Sequence, residues 1–204
     1  MKTIAVPKAN FTGVILAGGQ ATRMGGQDKG LIEMNHIPMV KYVLDVITPQ
    51  VGQIIINANR NHERYAEYGW PVIKDEFEGY NGPLAGMASS MRRVKTPWMV
   101  TAPCDSPFVP GDLVQRLYSN LIKMQADISV AHDGKRAQPV FVMLKTDLRD
   151  SLLDFLNGGE RKIDKWFERH TLAVTDFSDK PETFININDR DELASIESRL
   201  KQHN

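Results

Sequence analysis

Two periodicities alternate along this chain. Short apolar runs bounded by turn residues, as in Val14-Ile15-Leu16 and Ile54-Ile55-Ile56, predict buried strands. Apolar residues spaced three and four apart, as in Val40, Val43, Leu44 and Ile47, predict one buried face of a helix. In chain order the pattern predicts a strand at Val14–Leu16, an extended piece over Leu31–Ile37 turning at Asn35-His36, and a helix from Pro38 that Pro49 ends. A strand over Gln53–Asn57, a short helix over Asn61–Tyr68 closed by Gly69, and a short strand over Pro71–Ile73 follow. A helix from Leu84 to about Val94, a strand over Trp98–Ala102 and a helix from Pro110 through Met124 come next. Strands over Asp127–Ala131 and Gln138–Leu144 flank the polar turn Asp133-Gly134-Lys135. Helices at about Thr146–Asn157 and Arg161–Arg169, extended pieces at Leu172–Phe177 and Phe184–Ile187, and a terminal helix over Arg190–Gln202 complete the chain.

Strands alternating with helices of this length predict an α/β fold: one Rossmann-like domain over 11–204, a mostly parallel twisted sheet with helices on both faces. Residues 1–10 read as a flexible arm. Ligands of such sheets sit beyond the carboxyl ends of the strands. That rule gathers Gly18, Asn57, Asp75 and Asp105 at one rim, because each stands where its strand stops.

The stretch after the first strand carries most of the candidate chemistry. Gly18, Gly19, Gly25 and Gly26 let backbone N–H groups approach an anion unobstructed, and Arg23 and Lys29 are the cations beside them. The pattern suits a polyphosphate. It is not a Walker A loop, because Lys29 lies between Asp28 and Gly30 instead of preceding Ser or Thr. Nor is it a dinucleotide fingerprint, since no G-x-G occurs in the chain. An ordinary glycine turn is the alternative, and on this stretch alone it is the lesser of the two readings.

Composition narrows the partners. The 204 residues carry 25 Lys+Arg and 25 Asp+Glu, so the net charge is zero. Neither nucleic acid nor an anionic membrane is expected as a partner, and any anion must be held locally. The single cysteine, Cys104, excludes an intramolecular disulfide and reads as a small buried hydrophobe. Met1–Asn10 has no apolar core of a secretory signal, and no run is long enough to span a bilayer, so the expected location is cytoplasmic. The five histidines are scattered without metal-site spacing, and no G-x-S-x-G nucleophile motif occurs.

Asp105, held between Pro103 and Pro107, is a carboxylate of the kind that shares Mg²⁺ with nucleotide phosphates, or else one that caps a turn with Ser106. Asn57 and Asp75 could read a purine edge or a ribose, Asp accepting from guanine N1–H and N2–H₂. Gly82, before the helix opened by Pro83-Leu84-Ala85-Gly86, permits close backbone approach at a helix N-terminus that favours an anion. Gly158-Gly159-Glu160-Arg161-Lys162 places two cations after a glycine pair, and Asn186 and Asn188 alternate in Phe184-Ile185-Asn186-Ile187-Asn188. As a strand, the latter would point both amides one way.

Leu16-Ala17-Gly18-Gly19, followed by Arg23-Met24-Gly25 and Asp28-Lys29, resembles the signature of Rossmann-like nucleotidyltransferases. Within them it is similar to the molybdenum cofactor guanylyltransferase (MobA) family. Pro103-Cys104-Asp105-Ser106-Pro107-Phe108 resembles that family's Mg²⁺-holding element, and Gly82-Pro83-Leu84-Ala85-Gly86 its nucleotide-side segment. The resemblance implies nucleotide contact at Leu16, Ala17, Gly18 and Lys29, a role in activity for Arg23, and a guanosine site at Asn57 and Asp75. It implies pterin contact near Arg161, Lys162, Asn186 and Asn188. Lys162 departs from the family's more usual second arginine, which puts a bidentate phosphate grip there in doubt. The implied activity is transfer of GMP from GTP to the terminal phosphate of molybdopterin, with Mg²⁺ as cofactor and pyrophosphate leaving. Other proteins of molybdenum cofactor biosynthesis or delivery are candidate partners. Cytidylyl transfer to the same pterin, sugar-phosphate nucleotidyl transfer and a non-catalytic nucleotide-binding module remain open alternatives.

Overall fold

A computed structural model describes residues 7–19, 26–77, 82–187 and 189–202. Nine strands and seven α-helices are formed among them: β1 (Phe11–Leu16), β2 (Glu33–Met34), β3 (Ile37–Pro38), α1 (Met39–Ile47), β4 (Gln53–Asn57), α2 (His62–Ala66), β5 (Val72–Ile73), α3 (Pro83–Met91), β6 (Trp98–Pro103), α4 (Leu113–Lys123), β7 (Ile128–His132), β8 (Ala137–Lys145), α5 (Arg149–Asn157), α6 (Ile163–Phe167), β9 (Leu172–Asp176) and α7 (Arg190–Gln202). Seven strands form one sheet in the order β5-β4-β1-β6-β8-β7-β9, and β2 pairs with β3 in a separate hairpin.

The chain first runs outward from β1 through β4 to β5, then returns across β1 to β6. The order of strands therefore reverses beside β1, which is where a doubly wound sheet opens a crevice. Ladders β1–β4, β4–β5, β1–β6 and β7–β9 are parallel. The exception is β8, antiparallel to both β6 and β7. Its cause is local: Asp133 Oδ1 accepts from the N–H groups of Lys135 and Arg136, both at 2.7 Å, so the chain turns straight back as a hairpin.

Alternation along the strands feeds two cores. Ile15, Ile54, Ile56 and Val100 pack with Val40, Val43, Leu44 and Ile47 of α1 and with Leu113, Leu117 and Leu121 of α4. Val14, Ile55, Met99 and Val142 pack on the opposite face with Leu84, Met87 and Ala88 of α3 and with Phe155 and Trp166. Helices thus cover both faces, as the pattern predicts. A third, smaller cluster joins Met34, Met39, Ile187 and Ile196, seating the hairpin and α7.

Three elements differ from expectation in kind or extent. The extended piece expected at Phe184–Ile187 is instead a 3₁₀ turn over Pro181–Phe184 followed by 185–187 outside any ladder. Phe184 is drawn inward by edge-to-face contacts with Phe141 and Phe177, and Pro181 lacks the N–H a ladder needs. The helix expected from Pro110 begins at Leu113, and the one expected over Arg161–Arg169 is confined to Ile163–Phe167. Of the arm expected over 1–10, residues 1–6 lie outside the described residues. Lys8–Asn10 form a 3₁₀ turn whose backbone lies against Gly52, where a Cβ would come within 2.7 Å of Ala9 Cα.

Candidate active site

Register alone brings the rim together. Leu16 pairs with Asn57 on one side and with Pro103 on the other, and Asn57 pairs with Ile73. The bonding continues one step further, from Ala17 N–H to Asn57 O (2.7 Å), Cys104 N–H to Leu16 O (3.1 Å) and Ala58 N–H to Ile73 O (2.8 Å). Residues just past β1, β4, β5 and β6 consequently end at one level. There they surround a cleft of about 270 Å³ whose walls include Leu16, Ala17, Gly18, Gly19, Lys29, Asn57, Asp75, Gly82, Asp105 and Asn186. That size is just below the usual range of small-molecule sites.

One wall is cationic against anionic. Lys29, on a 3₁₀ turn over Lys29–Leu31, places Nζ 2.9 Å from Asp105 Oδ2 at the end of β6. Asp105 is largely buried, and among the described residues its other oxygen accepts no hydrogen bond. No group of three His, Cys, Asp or Glu side chains is assembled as a metal cage among the described residues. A single carboxylate of this kind fits a hard divalent ion that takes its remaining ligands from phosphate and water.

The opposite wall is a network of amides and one carboxylate. Asn57, buried at the end of β4, donates from Nδ2 to Asp75 Oδ1 at 2.9 Å. Gly86 makes room for it: an added Cβ would lie 2.3 Å from Asn57 Oδ1. Gly82 adopts φ +66, a conformation that favours glycine, immediately before Pro83 opens α3. The first turn of α3, whose N–H groups find no acceptor within the helix itself, therefore lies beside the cleft.

A support not assigned from the sequence underlies Lys29. The buried Asp28 carboxylate accepts from Tyr65 Oη at 2.6 Å and from Asn61 Nδ2 at 3.0 Å, with Arg60 Nε 3.7 Å away. Arg60 also donates to the carbonyls of Gly19 (3.3 Å), Gly26 (2.8 Å) and Gln27 (3.3 Å). It thus ties together the two described ends of the glycine stretch. Burial, with Cys104 and Asp28 nearby, pushes the Tyr65 phenol far up, so Tyr65 acts as a neutral donor. Burial likewise pushes the Cys104 thiol well above its ordinary range, in keeping with a packing role. The run Asn57-Ala58-Asn59-Arg60-Asn61 crowds polar residues directly after a rim strand, but nothing in it points to Asp28 or Tyr65 as their partners.

Asn186 reaches the cleft because Ile187 N–H donates to Asp105 O at 3.0 Å and the Ser106 hydroxyl bonds Asn186 Oδ1. Arg161 and Lys162 are exposed and are not among the described residues of the cleft wall. Arg161 donates instead to Leu156 O (2.7 Å) and Glu160 O (2.6 Å). Arg23 and Asn188 lie outside the described residues.

A family model described as a MobA-like NTP transferase domain matches residues 13–174, a span that runs from within β1 to within β9 and takes in every rim residue named above except Asn186. The chain belongs to the MobA-like NTP transferase family. A relative from Shewanella sediminis, named molybdenum cofactor guanylyltransferase, is 55% identical over 187 residues, covering 92% of this chain and 95% of its own. A relative of the same name from Shewanella loihica is 52% identical with the same coverage. Among solved structures, molybdopterin-guanine dinucleotide biosynthesis protein A from Archaeoglobus fulgidus superposes with a TM-score of 0.79 at 22% identity, covering 94% of this chain and 99% of its own. A 4-diphosphocytidyl-2C-methyl-D-erythritol synthase from Anaerococcus prevotii superposes at 0.74 with 11% identity, over 95% of this chain and 97% of its own. At such identities these two superpositions show the MobA-like fold alone.

Proposed function

We propose that the protein transfers GMP from GTP to the terminal phosphate of molybdopterin, forming the guanine dinucleotide form of the molybdenum cofactor and releasing pyrophosphate. The observation that carries this reading is the convergence of Lys29, Asp105, the Gly18-Gly19 backbone, Asn57 and Asp75 on one cleft at the strand reversal. The names of the relatives supply the acceptor.

In this reading the triphosphate lies over the glycine backbone, where N–H groups and Lys29 offset its charge. Asp75, an acceptor-only group, faces the donor edge of guanine. Asp105 would hold Mg²⁺, which when bound supplies a compact positive charge to the phosphates. The Lys29 ammonium, already beside Asp105, is placed to neutralise the departing pyrophosphate. The attacking phosphate oxygen of the pterin is ionised at neutral pH, so no general base is required. The chain's task is to hold two anions in line and offset the charge that builds between them. Asn186 of the cleft wall, and with it Arg161, Lys162 and Asn188, are assigned to the pterin.

The test is product formation by purified protein with Mg²⁺ and molybdenum-loaded molybdopterin, offering GTP, CTP and ATP in parallel. A dinucleotide formed with GTP alone is expected. Preference for CTP would move the protein to cytidylyl transfer, and GTP binding without any product would leave a binding module.

A further inference from the structure

Asn59 does not line the cleft, yet three hydrogen bonds converge on its exposed side chain. Its Nδ2 donates to Asp75 Oδ2 at 2.8 Å and to Gly18 O at 3.4 Å, and its Oδ1 accepts from the Asp75 N–H at 2.9 Å. Two of these bonds are reciprocal with one residue, so they fix the Asp75 side chain against its own backbone. Asn57 takes the other oxygen, Oδ1, at 2.9 Å. Each carboxylate oxygen thus accepts one amide from the protein and retains lone-pair capacity for a ligand. The same side chain reaches Gly18, which does line the cleft and where a Cβ would lie 2.9 Å from Asn59 Nδ2.

We infer that Asn59 is a positioning residue for nucleobase selection: it sets the plane of the Asp75 carboxylate so that both oxygens meet two adjacent donors. Among the common bases, guanine presents such a pair, N1–H and N2–H₂, on one edge. Hypoxanthine keeps only N1–H, and adenine and cytosine each present one amino group beside an acceptor. A site whose acceptors are fixed in direction rejects a base that leaves one of them unpaired, whereas a carboxylate free to turn accepts water in its place. Asn59 holds no atom of the substrate and works only through Asp75. This inference rests on the guanylyl reading above.

The test compares kcat/KM for GTP and for inosine triphosphate, which lacks only the N2 amino group. The wild-type protein, Asn59→Ala, Asn59→Ser, Asp75→Ala and the Asn59→Ala/Asp75→Ala double variant are measured with the same acceptor. Wild type should favour GTP, and either Asn59 variant should narrow that preference by about tenfold or more. On the Asp75→Ala background, Asn59→Ala should change the ratio no further. A general loss of structure would lower both nucleotides alike and leave the ratio standing. If wild type does not distinguish the two nucleotides, the guanine reading itself is wrong. If wild type distinguishes them and both Asn59 variants keep the ratio, or if Asn59→Ala still narrows it without Asp75, the role given to Asn59 is overturned.

Discussion

Gly86 lies inside α3, where alanine ordinarily stabilises a helix by about 0.5–1 kcal/mol relative to glycine. Here the opposite sign is expected for Gly86→Ala. The added Cβ would stand 2.3 Å from Asn57 Oδ1 and 2.9 Å from Leu16 Cδ2, separations no methyl group tolerates. Leu16 belongs to a central strand, so the Asn57 amide must give way, and turning it breaks the 2.9 Å bond to Asp75. Overpacking of this kind costs about 1–3 kcal/mol, and a hydrogen bond to a charged group contributes about 1.5–3 kcal/mol. Set against the helix gain, the variant should be about 2–5 kcal/mol less stable, which lowers the thermal midpoint by about 4–20 °C for a chain of this size. Because the group displaced lines the cleft where the proposal seats the nucleotide, KM for GTP should also rise, by about tenfold for each 1.4 kcal/mol of lost contact. The assay is thermal unfolding alongside GTP kinetics, with Gly111→Ala as control, since nothing lies within 4 Å of a Cβ there. A Gly86→Ala protein that melts at or above wild type with an unchanged KM would refute the reasoning.

Other consequences are equally open to measurement. Tyr65→Phe removes the 2.6 Å bond to the buried Asp28 carboxylate and should cost about 1.5–3 kcal/mol in urea unfolding; an unchanged midpoint would mean Asp28 is satisfied without it. Asp105→Asn should lower turnover by about a hundredfold or more at saturating GTP and Mg²⁺, and turnover within about threefold of wild type would remove Asp105 from the metal site. Bonds from Lys145 and then Thr171 hold Asp127 down at about 2, below its ordinary 3.8, so its stabilisation is complete above about pH 4 and is lost as pH falls toward 2. Asp127→Asn should therefore flatten the acid limb of the stability curve and cost about 1–2 kcal/mol at neutral pH, discounted for partial exposure; an acid limb identical to wild type would contradict this.

The sequence made the rim legible because each rim residue follows an apolar run that could only be a strand. Asn57 after Ile54-Ile55-Ile56 and Asp105 after Trp98–Pro103 are of this kind, and in the structure both line the cleft. What surrounds them was not legible. Asp28 reads from sequence as a polar neighbour of Lys29, yet it is a buried anchor because Tyr65 and Asn61 arrive from α2 and the turn before it, more than thirty residues away. Asn59 has no apolar context to mark it, and its importance lies in partners 16 and 41 positions distant. The piece at Phe184–Ile187 failed as a strand for a related reason: aromatic contacts with Phe141 and Phe177 decided its shape, and local alternation did not. The antiparallel placement of β8 between β6 and β7 follows from the Asp133 turn, but its position next to β6 is a property of the assembled sheet.

The fate of the α-phosphorus tests the central claim most directly. With GTP labelled at the α-phosphate in one reaction and at the γ-phosphate in another, the protein and molybdenum-loaded molybdopterin should yield α-label in the pterin dinucleotide and γ-label in pyrophosphate. Recovery of the α-label in free GMP or GDP, or of the γ-label in the pterin product, would contradict guanylyl transfer.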